Sequence, residues 1–177
     1  SLVFQFVSQL LPGLTVVVSP LISLMKDQVE AAADLGLAVG QINSAVSAAE
    51  REQALARAER GEIKLLYATP ERFRNPDFID RLRRIGVSLL AVDEAYCISE
   101  WGYDFRPAYL ALKGAAERLG RPTLLALTAT ANPWVRRDTI ERLGMRHCAV
   151  VVRGIDRPGL FLEVRGVLAE EEDHRVL

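Results

Sequence analysis

The sequence predicts an α/β fold built on a parallel sheet with helices on both faces, and three observations carry that expectation. Short runs at residues 14–19, 63–68, 89–93 and 123–128 are apolar almost throughout; strands buried on both faces read this way, whereas a strand with one wet face would alternate. Amphipathic stretches of helix length lie between them, at residues 21–35, 45–60, 77–84, 108–119 and 133–143. Gly36, Gly61, Gly86, Gly120 and Gly144 stand at or just past the ends of those stretches, where a terminating glycine takes positive φ. Strands that alternate with helices form βαβ units, and their crossovers lay helices over the sheet. Residues 38–42 and 149–152 are two further strand candidates.

The bulk numbers narrow the classes. With 177 residues, 50% hydrophobic and 25% charged, the chain has the length and composition of one globular domain, which excludes disorder and collagen-like arrays. No apolar run reaches the roughly 18 residues of a membrane span. The first ten residues are apolar but lack a basic leader and a cleavage signal, so no signal peptide is expected. The chain starts without Met and inside an apolar stretch, which reads as a truncation. A net charge of −1 lends no support to nucleic-acid binding, so any such function must rest on local features. Cys97 and Cys148 are too few for a disulfide framework and are expected as buried thiols of a reducing compartment. His147 and His174 have no partner at zinc spacing. After Arg153 the composition changes, with a turn-rich 154–158 and an acidic 170–173. Residues 1–153 are therefore expected to form one domain, and 154–177 a linker leading into a second.

Ligands of an open parallel sheet bind at the carboxyl ends of its strands. There the apolar runs stop at Ser19-Pro20, Thr69-Pro70-Glu71-Arg72, Asp93-Glu94 and Thr128-Ala129-Thr130. Two adjacent carboxylates at the end of an apolar strand are costly as core, because a buried charge demands a partner. Asp93-Glu94 is either the start of a solvated loop or a site for a magnesium-bound nucleotide, one carboxylate holding the ion and the next polarising water. Ser19 and Thr69 each precede a proline, as N-caps do; they are plain helix starts or anion sites for a nucleic-acid backbone. Residues 97–106 carry Trp101, Tyr103, Phe105 and Arg106. Such rings either pack under a helix or, beside a guanidinium, stack on single-stranded bases.

Taken together, these residues resemble the first RecA-like motor domain of RecQ-type DNA helicases in superfamily 2. Residues 16–28, Val-Val-Val-Ser-Pro-Leu-Ile-Ser-Leu-Met-Lys-Asp-Gln, resemble motif Ia, and residues 67–72, Tyr-Ala-Thr-Pro-Glu-Arg, resemble motif Ib. Residues 93–107, Asp-Glu-Ala-Tyr-Cys-Ile-Ser-Glu-Trp-Gly-Tyr-Asp-Phe-Arg-Pro, resemble motif II and its aromatic-rich loop. Residues 127–131 resemble motif III, and residues 156–161 the passage into the second motor domain. The resemblance implies a RecA-like P-loop NTPase fold and an ATP- and Mg2+-dependent motor that moves 3′ to 5′ on single-stranded DNA and opens forked duplexes, in DNA repair and recombination. It implies a second RecA-like domain, no membrane, and a cytoplasmic, nucleoid-associated place in a bacterium or a nuclear one in a eukaryote. By the same resemblance Asp93 holds magnesium through water and Glu94 activates the attacking water. Ser19, Lys26, Thr69 and Arg72 touch the single strand, Trp101, Phe105 and Arg106 sense DNA, and Thr128 and Thr130 couple it to ATP.

Three departures stand out. The Gly-Lys-Ser/Thr phosphate loop is absent; Ser1 matches only its final, magnesium-binding hydroxyl. The upstream adenine-recognition motif is absent too. Tyr96 and Tyr103 occupy two coupling positions where the family carries His, and a phenol cannot become cationic near neutral pH. On this basis the chain by itself is expected to be inactive. The alternatives are a degenerate, non-hydrolysing helicase-like module that binds DNA or protein, favoured by the two tyrosines, and an RNA helicase of the same superfamily, disfavoured by the 101–107 loop.

Overall fold

The computed structural model describes residues 2–153, which fall in two units divided between Arg146 and His147. In the first, a parallel sheet of five strands runs β1 (Leu14–Val18), β2 (Val39–Ile42), β3 (Leu65–Ala68), β4 (Val87–Val92) and β5 (Thr123–Ala126), in the spatial order β2-β3-β1-β4-β5. Helix α1 (Leu2–Leu10) precedes β1, helices α2 (Ile22–Asp34), α3 (Ala48–Glu59), α4 (Pro76–Ile85) and α5 (Ala111–Arg118) lie between successive strands, and α6 (Pro133–Leu143) follows β5. The α/β class and its parallel sheet are as the sequence predicts.

The central strands are buried on both faces, and their side chains divide by the period of two. Val16, Val18, Leu66, Ala68, Leu90 and Val92 face one core with Leu55, Phe78, Leu82 and Leu112 of α3, α4 and α5. Val17, Leu65, Tyr67, Leu89 and Ala91 face the other, with Phe4 of α1 and Met25 of α2. The split follows from crossover handedness. The path from β1 to β2 runs one way along the sheet and every later step runs back, so right-handed connections must put α2 on one face and α3, α4 and α5 on the other. All five helix-ending glycines take positive φ, from 66° to 89°.

Local chemistry moves several boundaries. Helix α3 begins at 48 and not 45 because Ser47 and Glu50 form a reciprocal capping box. Arg106-Pro107 opens a 3-10 turn over Pro107–Leu110 before α5, so the helix expected over 108–119 is shorter. The expected cap at Ser19-Pro20 is not made: Leu21 is the N-cap of α2 and no side chain caps it. Thr69 does precede a helix with Pro at its first position, but that helix is a 3-10 turn, Pro70–Arg74, and the Thr69 hydroxyl makes no capping bond. Helix α1 has no counterpart in the expected elements. Its polar residues Gln5, Ser8 and Gln9 share one face, but Gln5 and Ser8 are buried beside Phe4 while Leu2, Phe6 and Leu10 are exposed, the reverse of the pattern that marks a surface helix.

In the second unit, described as far as 153, the strand expected at 149–152 does not form, and Val150, Val151 and Val152 are exposed. A short apolar run becomes a strand only where an edge accepts its hydrogen bonds. Cys97 is buried as expected, whereas Cys148 is only half-buried. His174, the 156–161 segment and the proposed linker lie outside the described residues. Among the described residues, no helix is long and apolar enough to cross a membrane.

Candidate active site

Backbone pairing continues one step beyond the strands, and this sets the site. Thr69 N–H donates to the carbonyl of Ile42 (3.2 Å), Ser19 to Ala68 (3.1 Å), Asp93 to Val18 (2.9 Å) and Leu127 to Val92 (2.9 Å). Asn43, Thr69, Ser19, Asp93 and Thr128 thus end five neighbouring strands along one edge. The structure brings together what the sequence scatters over more than eighty residues, as the carboxyl-end rule requires.

Asp93 and Glu94 are both half-buried, and among the described residues neither is ion-paired. Asp93 Oδ1 accepts the Glu94 N–H at 3.1 Å, which closes a tight turn. The buried Tyr109 hydroxyl donates to the Asp93 carbonyl at 2.9 Å. Glu94 itself is left-handed, with φ 47° and ψ 46°; a side chain pays for that conformation with steric energy, and such residues cluster at functional sites. Burial first and the Asp93 charge second push the Glu94 carboxyl above its ordinary pKa. A carboxylate so placed attracts cations and is a better proton acceptor than a solvated one. Ala95 N–H donates to Leu127 O at 2.9 Å, so the carboxylate turn is pinned to the chain that leads into Thr128 and Thr130. Those two threonines are exposed, and the Thr128 hydroxyl accepts the Thr130 N–H at 3.3 Å.

The aromatic loop joins the same edge. Arg106 is held by Asp104 through Nε (3.0 Å) and Nη2 (2.9 Å), and its Nη1 donates to the Pro20 carbonyl at 3.0 Å. It therefore ties the loop to the residue after Ser19. Trp101 is 79% and Tyr103 99% exposed, Phe105 is half-buried, and Tyr96 is half-buried next to the buried Cys97, whose thiol burial pushes up to about 11. Ser19 is fully buried and its Oγ has no hydrogen-bond partner. Arg72 is anchored to the Asn43 carbonyl through Nη2 at 3.4 Å. Lys26 extends from α2, largely exposed and 3.8 Å from Glu30. Ser1 lies outside the described residues.

Two participants escape a reading of the sequence. Asn43, 1% exposed, turns the chain after β2: its Oδ1 accepts the Ala45 N–H (2.8 Å) and its Nδ2 donates to Gln41 Oε1 (3.2 Å). Its place just after the candidate strand at 38–42 was the available signal. Tyr109 lies in a stretch read only as amphipathic helix, and nothing local marks its hydroxyl as the prop of Asp93.

Comparison with known proteins agrees with this geometry. Residues 2–138 match the DEAD/DEAH box helicase family. The chain is 41% identical over 174 residues to ATP-dependent DNA helicase RecQ of Bacillus subtilis, covering 98% of this chain and 29% of that protein. It is 43% identical over 152 residues to ATP-dependent DNA helicase Q5 of Rattus norvegicus, 82% of this chain and 16% of the relative. The chain thus spans less than a third of the length of these relatives. Among solved structures, the Hef helicase domain of Pyrococcus furiosus superposes with a TM-score of 0.56 at 26% identity, over 76% of this chain and 28% of that one. With a family match over most of its length and a strand-end site of the matching kind, the chain belongs to the DEAD/DEAH box helicases.

Proposed function

We propose that residues 1–153 are the first motor domain of an ATP-dependent DNA helicase that moves 3′ to 5′ on single-stranded DNA and opens forked duplexes, paired with a second RecA-like domain. The observation that carries the reading is the coupling of the carboxylate turn to two neighbours. The Asp93 N–H is bonded to the carbonyl of Val18, next to Ser19, and the N–H of Ala95, which follows Glu94, to the carbonyl of Leu127, next to Thr128. A shift at the nucleic-acid side of the sheet edge is thereby felt at the carboxylates within one peptide unit.

The donor set suits a nucleotide-bound magnesium ion. Two unpaired carboxylate side chains, with no cluster of three metal-ligating residues among the described ones, match an ion held largely by water and phosphate oxygens. Asp93 would hold it and Ser1 would offer a hydroxyl; the ion supplies charge neutralisation at the phosphates. Glu94, lifted in pKa, orients and polarises the attacking water. Arg72 and Lys26 would contact the strand directly, Ser19 and Thr69 would act from their buried positions at the ends of β1 and β3, and Trp101, Phe105 and Arg106 would report its presence through the Pro20 contact. Tyr96, Tyr103, Thr128 and Thr130 would couple the two.

The test is the ATPase rate of the full-length protein with and without single-stranded DNA. Stimulation that Glu94→Gln abolishes supports the motor. Stable binding of DNA without any hydrolysis would refute it in favour of a non-hydrolysing helicase-like module, the reading that Tyr96 and Tyr103 favour.

A further inference from the structure

The chain has two tryptophans, and both line one surface groove. The groove measures about 730 Å³ and is bounded by Trp101 of the aromatic loop and by Asn132, Trp134, Arg137, Asp138 and Glu141 at the start and along one side of α6. Tryptophan is ordinarily well buried, yet Trp101 is 79% and Trp134 71% exposed. Trp134 does not lie loosely on the surface. The Arg137 guanidinium sits over its ring, 4.2 Å from the centroid, so the area left exposed is the opposite face and the ring edges. The two walls are also tied together: Arg142 donates to Asp138 Oδ1 on α6 (2.8 Å) and to Glu100 Oε1 (3.3 Å), the residue before Trp101.

From this geometry we infer that Trp101 and Trp134 form a two-sided slot that receives an unpaired base of a single strand, with Trp134 a binding residue in its own right. Indole faces backed by a guanidinium are the stacking platform that single-stranded nucleic acid uses, and stacking tolerates any base because each has a π-face. The rim offers both hydrogen-bonding senses. The Asn132 Oδ1 is spent on capping the N–H groups of Trp134 and Val135, each at 2.9 Å, which leaves its Nδ2 to donate, while Glu141 accepts. Such a rim meets carbonyl and amino edges alike and selects no single base. Phosphate recognition does not explain the groove, since Asp138 and Glu141 offset Arg137 there. The slot rests on the reading of the chain as a DNA-dependent motor, and it adds to that reading a grip on α6, immediately after the Thr128–Thr130 segment that follows β5.

Because no other tryptophan exists in the chain, each single-tryptophan variant reports one wall. In Trp101→Phe the emission comes from Trp134 alone, and in Trp134→Phe from Trp101 alone. Each is titrated with a short oligothymidylate and with an abasic oligomer of equal length, while fluorescence anisotropy of the labelled oligomers reports binding independently. The slot requires oligothymidylate to quench both emissions and the abasic strand to quench neither. Trp134→Ala, at a side chain 71% exposed, should weaken oligothymidylate binding about 5- to 150-fold, the span that loss of one base–ring stack gives, and leave abasic binding unchanged. Oligothymidylate that binds by anisotropy without quenching Trp134 overturns the slot but leaves the nucleic-acid reading standing. Emission that shifts with protein concentration, and not with oligomer, also overturns it, because the rings then meet a second protein surface. If neither oligomer binds, the slot and the reading beneath it fail together.

Discussion

Replacing Tyr109 with phenylalanine isolates the bond that holds the carboxylate turn. Tyr109 is fully buried and its hydroxyl donates to the Asp93 carbonyl at 2.9 Å. Phenylalanine keeps the ring, so no cavity forms and the transfer free energy of the aromatic surface is retained. What is lost is one neutral hydrogen bond, with a carbonyl left short of a donor. A net bond contributes about 0.5–1.5 kcal/mol, and stranding its buried partner costs about 1–3 kcal/mol. Asp93 is only half-buried, so water can partly replace the phenol and the expected loss is about 1–2 kcal/mol. For a domain of this size that lowers Tm by about 2–8 °C. In a urea titration followed by circular dichroism, the midpoint should fall while the slope m stays constant. Tyr103→Phe, at a side chain 99% exposed, is the control and should leave the midpoint in place. An unchanged midpoint for Tyr109→Phe would refute the role given to the hydroxyl. A loss of about 3–5 kcal/mol, the size seen when a whole ring is removed, would show that packing and not the bond is what the residue supplies. Burial also raises the Tyr109 pKa well above that of a free phenol. The folded state then keeps its proton after the unfolded chain has released its own. The stability is therefore fully present below about pH 10, the free tyrosine value, and declines as pH rises beyond it; in Tyr109→Phe that decline should be smaller.

Other outcomes follow from the same contacts. Glu94→Gly should raise stability by up to about 1 kcal/mol, because glycine takes the left-handed conformation without steric cost while every side chain there pays, and it should abolish hydrolysis; a destabilised variant would mean that φ 47° carries no strain. Since burial and the Asp93 charge raise the Glu94 pKa, Asp93→Asn should bring it down toward the ordinary carboxylate value, and a carboxyl-carbon NMR titration that shows no downward movement would contradict the coupling. The sign for stability follows: a raised folded pKa means stability is lost as pH climbs through the range above the free glutamate value, so Glu94→Gln should flatten that loss. Asn75 Oδ1 accepts the Asp77 and Phe78 N–H groups at the start of α4 (2.9 and 3.4 Å), so Asn75→Ala should cost about 1 kcal/mol in a urea titration.

How far the sequence reaches depends on the range of the interaction that decides each feature. The five strands and most helices are legible because burial on two faces or one leaves a local period in the residues. The strand-end set Ser19, Thr69, Asp93 and Thr128 is legible for the same reason, since each stands where an apolar run stops. The left-handed glycines are legible because only that residue takes the conformation cheaply. Helix α1 is not, because it turns Gln5 and Ser8 inward and Leu2, Phe6 and Leu10 outward, the reverse of the pattern that marks a surface helix. Nor does anything local say that β2 lies at one edge, that β1 lies between β3 and β4, or that Arg106 closes onto Pro20, a residue 86 positions away. These are pairings between distant segments, and their selection belongs to the folded chain. Tertiary packing also moved Ser19 from the expected cap into the core, exposed both tryptophans on one groove, and set the Tyr109 hydroxyl under Asp93. Sequence determined which residues could do the chemistry; only the crossing of distant strands decided which of them meet, because a parallel sheet joins residues that the chain itself keeps apart.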